Sequence, residues 1–193
     1  MKEITYFLGD RRMRKFILNL LTVLAWIYQI VCVLGLIIFV PVFVMMFFIK
    51  SNPDFREGFM STFNTHGASS IDQIILVMEI TFFLLIVVTI TTFLICCYAR
   101  LIIKNIKREI YFAADNLQLL RKLLITVGVY TVCSVIEYVL LLTHRTCFST
   151  YTTNDMIYPG SITNGLLFLA VFYVVYLVFK YGMKIQEDAD SII

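Results

Sequence analysis

Residues 100–122, RLIIKNIKREIYFAADNLQLLRK, decide how the chain reads. Six basic residues lie here, Arg100, Lys104, Lys107, Arg108, Arg121 and Lys122, and they sit where long apolar sequence stops or resumes. Lysine and arginine held at the margins of apolar runs mark a cytoplasmic loop of a membrane protein, because hydrocarbon rejects the charge and the inner face retains it.

The composition agrees with that reading. The 193 residues are 60% hydrophobic and 15% aromatic, with a mean hydropathy of +0.87, well beyond what a water-soluble domain of this size carries. The net charge of +3 says less than its placement, and direct nucleic-acid binding is not expected from it. The opening MKEITYFLGDRRMRKF reads as a basic interfacial lead-in that is retained rather than cleaved. Phe16 to Ile49 holds no charge and exceeds what a bilayer requires, and Pro41 is expected to kink or end that helix. Three further apolar runs follow, of which the first two each carry a single charge, Glu79 and Glu137.

Lys and Arg number five, two, six, one and two in the successive polar segments, so the even arrangement puts both termini and the central loop inside. The sequence therefore predicts an all-α polytopic membrane protein of one domain, residues 1–193, with four transmembrane helices. The spans fall at about 16–42, 74–99, 123–143 and 162–180, with exterior loops at 50–73 and 144–161, a cytoplasmic loop at 100–122 and a cytoplasmic tail at 181–193. Within residues 100–122, the third helix is expected to start near Ala114.

At 100° per residue, Asn19, Thr22, Trp26 and Gln29 share one face of the first helix, and Thr126, Tyr130, Cys133 and Glu137 share one face of the third. Such stripes should turn inward, since lipid offers polar groups no partner. Glu79 and Glu137 lie roughly 7 to 9 Å inside the outer ends of their helices. Glu79, Glu137, Tyr130 and Gln29 thus form a candidate intramembrane polar site, for a proton or a cationic ligand. The plainer reading is that both acids fix helix packing, hydrated or paired with His144, Arg145 or a tyrosine.

Enzyme signatures are absent: His66 and His144 both fall in exterior loops, and there is no HExxH, GxSxG or glycine-rich phosphate loop. A non-enzymatic protein without cofactor or metal is expected. The five cysteines form no CxxC, and Cys96 and Cys97 read as packing residues at the inner boundary, a place where acylation also occurs. No GxxxG pair specifies a dimer, so a homo-oligomer is left open, and the bilayer itself is the one partner composition requires.

Two stretches carry a family resemblance. EIYFAADNLQLLRKLL resembles the start of the third helix in a bacterial four-span membrane family, the domain of unknown function 2975. The ending GMKIQEDADSII is similar to that family's closing pattern, with Gly182, Ile185, Gln186, Glu187, Asp190 and Ile193 at matching places. Ala113 departs from the family's usual capping Thr or Ser, and Ile192 from its usual Thr. The number and order of spans agree. Many members are encoded beside a small helix-turn-helix regulator, so the resemblance implies an inner-membrane component of a regulatory pair. The docking surface expected for such a regulator comprises Lys107, Arg108, Asn116, Arg121, Gln186, Glu187 and Asp190. Other readings are a small transporter using Glu79 and Glu137, and an accessory subunit of a larger membrane complex.

Overall fold

The computed structural model describes residues 2–62, 71–111, 113–143 and 160–190. They form α1 (Lys2–Ser51), α2 (Pro53–Thr62), α3 (Ile71–Lys107), α4 (Ala114–Thr143) and α5 (Gly160–Asp190), with no strand among the described residues. All except the short α2 are long and apolar enough to cross a membrane. At 1.5 Å per residue, the apolar parts of α1 and α3 run roughly 55 to 60 Å, against a hydrocarbon layer of about 30 Å. Both are therefore longer, as helices, than crossing that layer requires.

That excess length alters three sequence expectations. The segment 100–122 is mostly helix, with only 108–113 left between α3 and α4. It contains neither Pro nor Gly, and its charges mark the edge of lipid rather than the end of a helix. α1 does not end at Pro41 but runs on to Ser51, since a missing N–H removes one rung from a helix held by many turns on either side. The segment 50–73 is not all loop either: Pro53 stands at the first position of α2, where its missing N–H costs nothing, and Asn52 accepts from the Arg56 N–H at 3.1 Å. The start of α4 at Ala114 agrees with the sequence reading. The tail from Gly182 continues α5 as helix to Asp190.

The four long helices pack in chain order, α1 on α3, α3 on α4 and α4 on α5. Contacts between α1 and α3 show the antiparallel register directly. Partner numbers rise on one helix as they fall on the other, from Arg14 with Glu109 through Thr22 with Lys107 and Gln29 with Arg100 to Lys50 with Glu79. The buried stripe of α4 (Asn116, Leu120, Leu123, Val127, Thr131, Ser134) recurs every three or four residues, as helix packing requires. Gly165 lets α5 approach it: a Cβ there would lie 2.9 Å from the Thr131 hydroxyl oxygen. This zigzag brings the start of α1, the end of α3, the start of α4 and the end of α5 to one end of the molecule.

Hydroxyl groups within the spans are satisfied locally. Thr22, Thr81, Thr89, Thr92, Thr126, Thr131 and Thr143 each donate to the carbonyl four residues back, at 2.6 to 2.8 Å. Threonine therefore adds little to interhelical bonding here, and the polar links between helices come from longer side chains.

The α3–α4 turn is built by backbone geometry. Glu109 adopts φ 63°, its N–H reaches the Ile106 carbonyl at 3.0 Å, and the Ile110 N–H reaches the Asn105 carbonyl at 3.1 Å. This is a Schellman ending with glutamate where glycine is usual. Ala113 occupies the N-cap position of α4 without a side-chain oxygen to offer, and its carbonyl accepts from the N–H groups of Asn116 and Leu117. Asn116 instead braces the turn: its amide donates to the carbonyls of Ile110 and Tyr111, both at 2.9 Å.

Candidate functional site

The antiparallel register separates what the helical faces grouped together. Glu79 on α3 faces the end of α1, where the Lys50 ammonium approaches its Oε2 at 3.5 Å. Its side chain is 15% exposed, and Oε1 is buried with no hydrogen-bond partner among the described residues. Immediately beside it lies an apolar cluster of Met46, Ile74 and Met78, backed by Val42, Ile49 and Phe82. One carboxylate oxygen thus faces a cation while the other is buried without a partner among the described residues, a costly arrangement for a charged group.

Glu137 and Tyr130 are half-buried on α4, and neither has a hydrogen-bond partner among the described residues. No bond connects Glu137 with Glu79 among those residues. Gln29 belongs elsewhere. It is 4% exposed, accepts from Arg100 Nη1 at 2.7 Å and donates to Cys97 Sγ at 2.8 Å. On α1, roughly 30 Å of helix separates it from Lys50 and hence from Glu79. Gln29 is therefore not part of one site with Glu79, and among the described residues no hydrogen bond joins Glu137 or Tyr130 to either; the α1 face expected to turn inward is mixed, with Gln29 buried but Asn19 and Trp26 exposed.

What the sequence did not disclose is the cluster around Gln29. The Arg100 guanidinium lies 4.0 Å from the centroid of the Trp26 ring, a cation–π contact in a partly desolvated setting. Lys107 Nζ donates to the Thr22 hydroxyl at 2.9 Å, about two turns nearer the basic end. Arg14 donates to the Tyr111 hydroxyl at 2.9 Å and pairs with Glu109 at 3.4 Å. The available signal was positional: in an antiparallel pair, the basic residues closing α3 must meet the polar stripe opening α1.

Of the residues expected to dock a partner, Lys107, Arg108, Arg121, Gln186 and Glu187 are exposed. Asn116 is not, with 0% exposure and both ends of its amide used within the turn, so its role is to hold α3 against α4. The side chain of Asp190 lies outside the described residues, as do His66, His144, Arg145 and Cys147. Cys32, Cys96, Cys97 and Cys133 are free thiols. Among the described residues no three His, Cys, Asp or Glu side chains converge to hold a metal.

The fold and these clusters define a class, an all-helical chain with four helices long and apolar enough to cross a membrane. No protein-family model, curated protein or solved structure matches the chain.

Proposed function

We propose that this is a non-enzymatic bacterial inner-membrane protein of the family called domain of unknown function 2975, with both termini in the cytoplasm, serving as the membrane half of a regulatory pair. A small cytosolic helix-turn-helix regulator docks on the exposed cations at the α3–α4 turn together with the acidic end of α5, and a membrane or exterior cue governs its release. The observation that carries this reading is the convergence of exposed charge at one end of the molecule. Lys107 and Arg108 stand at the turn, Arg121 lies about two turns into α4, and the helical tail bearing Gln186 and Glu187 leaves the same end. A partner gripping both signs of charge gains register as well as attraction. Deleting the chain from Gly182 onward should release a demonstrated partner from the membrane fraction into the soluble one. Unchanged fractionation overturns the docking role.

A second reading, a small proton- or cation-dependent transporter using Glu79 and Glu137, has one observation in its favour, the buried and unpartnered Oε1 of Glu79. Replacing both acids by Gln should then abolish a cation-dependent phenotype while expression is kept. Wild-type behaviour would reduce both acids to packing groups.

A further inference from the structure

At the basic end, α1 and α3 part to leave a groove of about 430 Å³. Arg14, Lys15, Lys107 and Arg108 line it, against one carboxylate, that of Glu109. Arg14 is committed to Glu109 and Tyr111, whereas Lys15 and Arg108 make no ion pair among the described residues. Further along the same two helices lies a second, apolar groove of about 310 Å³, walled by Trp26, Ile30, Val33 and Phe93 with Arg100 at its edge.

The two grooves lie one after the other on the same pair of helix faces. At 100° per residue, Lys15, Asn19, Trp26, Ile30 and Val33 share a face of α1, and Phe93, Arg100 and Lys107 share a face of α3. From Lys15 to Val33 they run together roughly 27 Å along the helix. One leaflet of a bilayer, headgroup included, is about 20 Å deep. Positive charge at one end, followed by an apolar groove that runs roughly 12 Å along α1 from Trp26 to Leu34, fits one class of molecule.

We infer that this pair of grooves binds an anionic phospholipid, with its phosphate among Lys15, Lys107 and Arg108 and an acyl chain along Ile30, Val33 and Phe93. Cationic pockets between membrane helices recognise acidic headgroups in this way, and the apolar continuation is what an acidic peptide could not use. Lys107 and Arg108 are also in the proposed regulator surface, so lipid and regulator would compete for them; the lipid site itself needs no partner protein.

The test uses the purified full-length protein alone, with lipid retention measured by native mass spectrometry from mixed micelles of phosphatidylglycerol and phosphatidylcholine. The wild type should retain phosphatidylglycerol preferentially, and the preference should fall about fivefold for each cation removed in Lys15→Gln, Arg108→Gln and the triple variant with Lys107→Gln. Val33→Trp, which fills the apolar channel from an exposed position, should lower phosphatidylglycerol retention with all cations present. Melting temperatures near that of the wild type establish that each variant is folded, and the two single exposed-cation variants decide the matter if the triple one is not. Equal retention of the two lipids by the wild type overturns the inference, as does unchanged preference in the cation variants. Displacement of phosphatidylglycerol by inorganic phosphate, with Val33→Trp indistinguishable from wild type, overturns it in favour of a free-phosphate site.

Discussion

The Asn105 amide near the end of α3 donates to the Asn116 amide oxygen in the first turn of α4 at 2.6 Å, so the two helices are joined by a buried side-chain bond immediately below their connecting turn. With its two further bonds to the Ile110 and Tyr111 carbonyls, Asn116 uses three of its four hydrogen-bonding positions. Asn116→Ala should cost about 1 to 3 kcal/mol, since three part-buried bonds go while the carbonyls of the exposed Ile110 and Tyr111 can turn to water. Asn105→Ala, which removes one bond, should cost about 1 to 2 kcal/mol. Unfolding in a mild detergent, followed by circular dichroism, measures both.

Glu109 holds a left-handed backbone that costs a side-chain-bearing residue about 1 to 2 kcal/mol. Its ion pair with Arg14 joins two groups 43% and 69% exposed, and such pairs contribute about 0 to 1 kcal/mol. Relief of strain therefore outweighs loss of the pair. Glu109→Gly should be neutral or slightly stabilising, and Glu109→Ala, which loses the pair and keeps the strain, should be less stable than the glycine variant by about 1 kcal/mol. The same unfolding measurement decides the order.

Ala113 stands at the N-cap of α4 with no side-chain acceptor for the free N–H groups behind it. Ala113→Ser should stabilise the protein by about 1 kcal/mol. A rise in melting temperature is the expected result, and a fall would mean that the serine is drawn into another bond.

Gly165 is the close point between α4 and α5. Alanine there gains about 1 kcal/mol of helix propensity but crowds the Thr131 hydroxyl, at about 1 to 3 kcal/mol of overpacking, so Gly165→Ala should be mildly destabilising. Gly165→Leu has no position short of moving α5 away. Cross-linking of cysteines introduced at Leu124 and Tyr173, which face the same α4–α5 groove, should fall sharply in the leucine variant and little in the alanine one.

Lys50 and Glu79 form an unequal pair, the ammonium 57% and the carboxylate 15% exposed. Removing the cation leaves a partly desolvated anion with nothing opposite, whereas replacing the anion by an amide removes the need for one. Lys50→Ala should therefore be the more destabilising, by about 1 kcal/mol after allowance for solvent screening at the lysine, than Glu79→Gln. The double variant should lie near Glu79→Gln, and thermal melts of all three make the comparison.

The spans were legible because hydrocarbon tolerates so few side chains: Phe16 to Ile49 admits one reading, and so does the lone Glu79 in the next run. Helix ends were less so. Hydropathy senses apolar sequence, and α3 stays helical through Lys104 and Lys107, past the end of its apolar run. A helical wheel gives the angle of a residue such as Gln29 about its axis but not its height relative to Glu79, which only the register between antiparallel partners restores. Asn116 looked like an exposed polar residue beside Asp115, yet an asparagine three places after a cap without an oxygen is well placed to turn back on the chain.

Each long helix leans on the one made just before it: α3 on α1, α4 on α3, α5 on α4. A segment emerging from the ribosome thus always meets its neighbour already in place, and none has to wait for a later one to arrive. Synthesis order and assembly order coincide, so a chain stopped short of α5 retains every interface formed up to that moment.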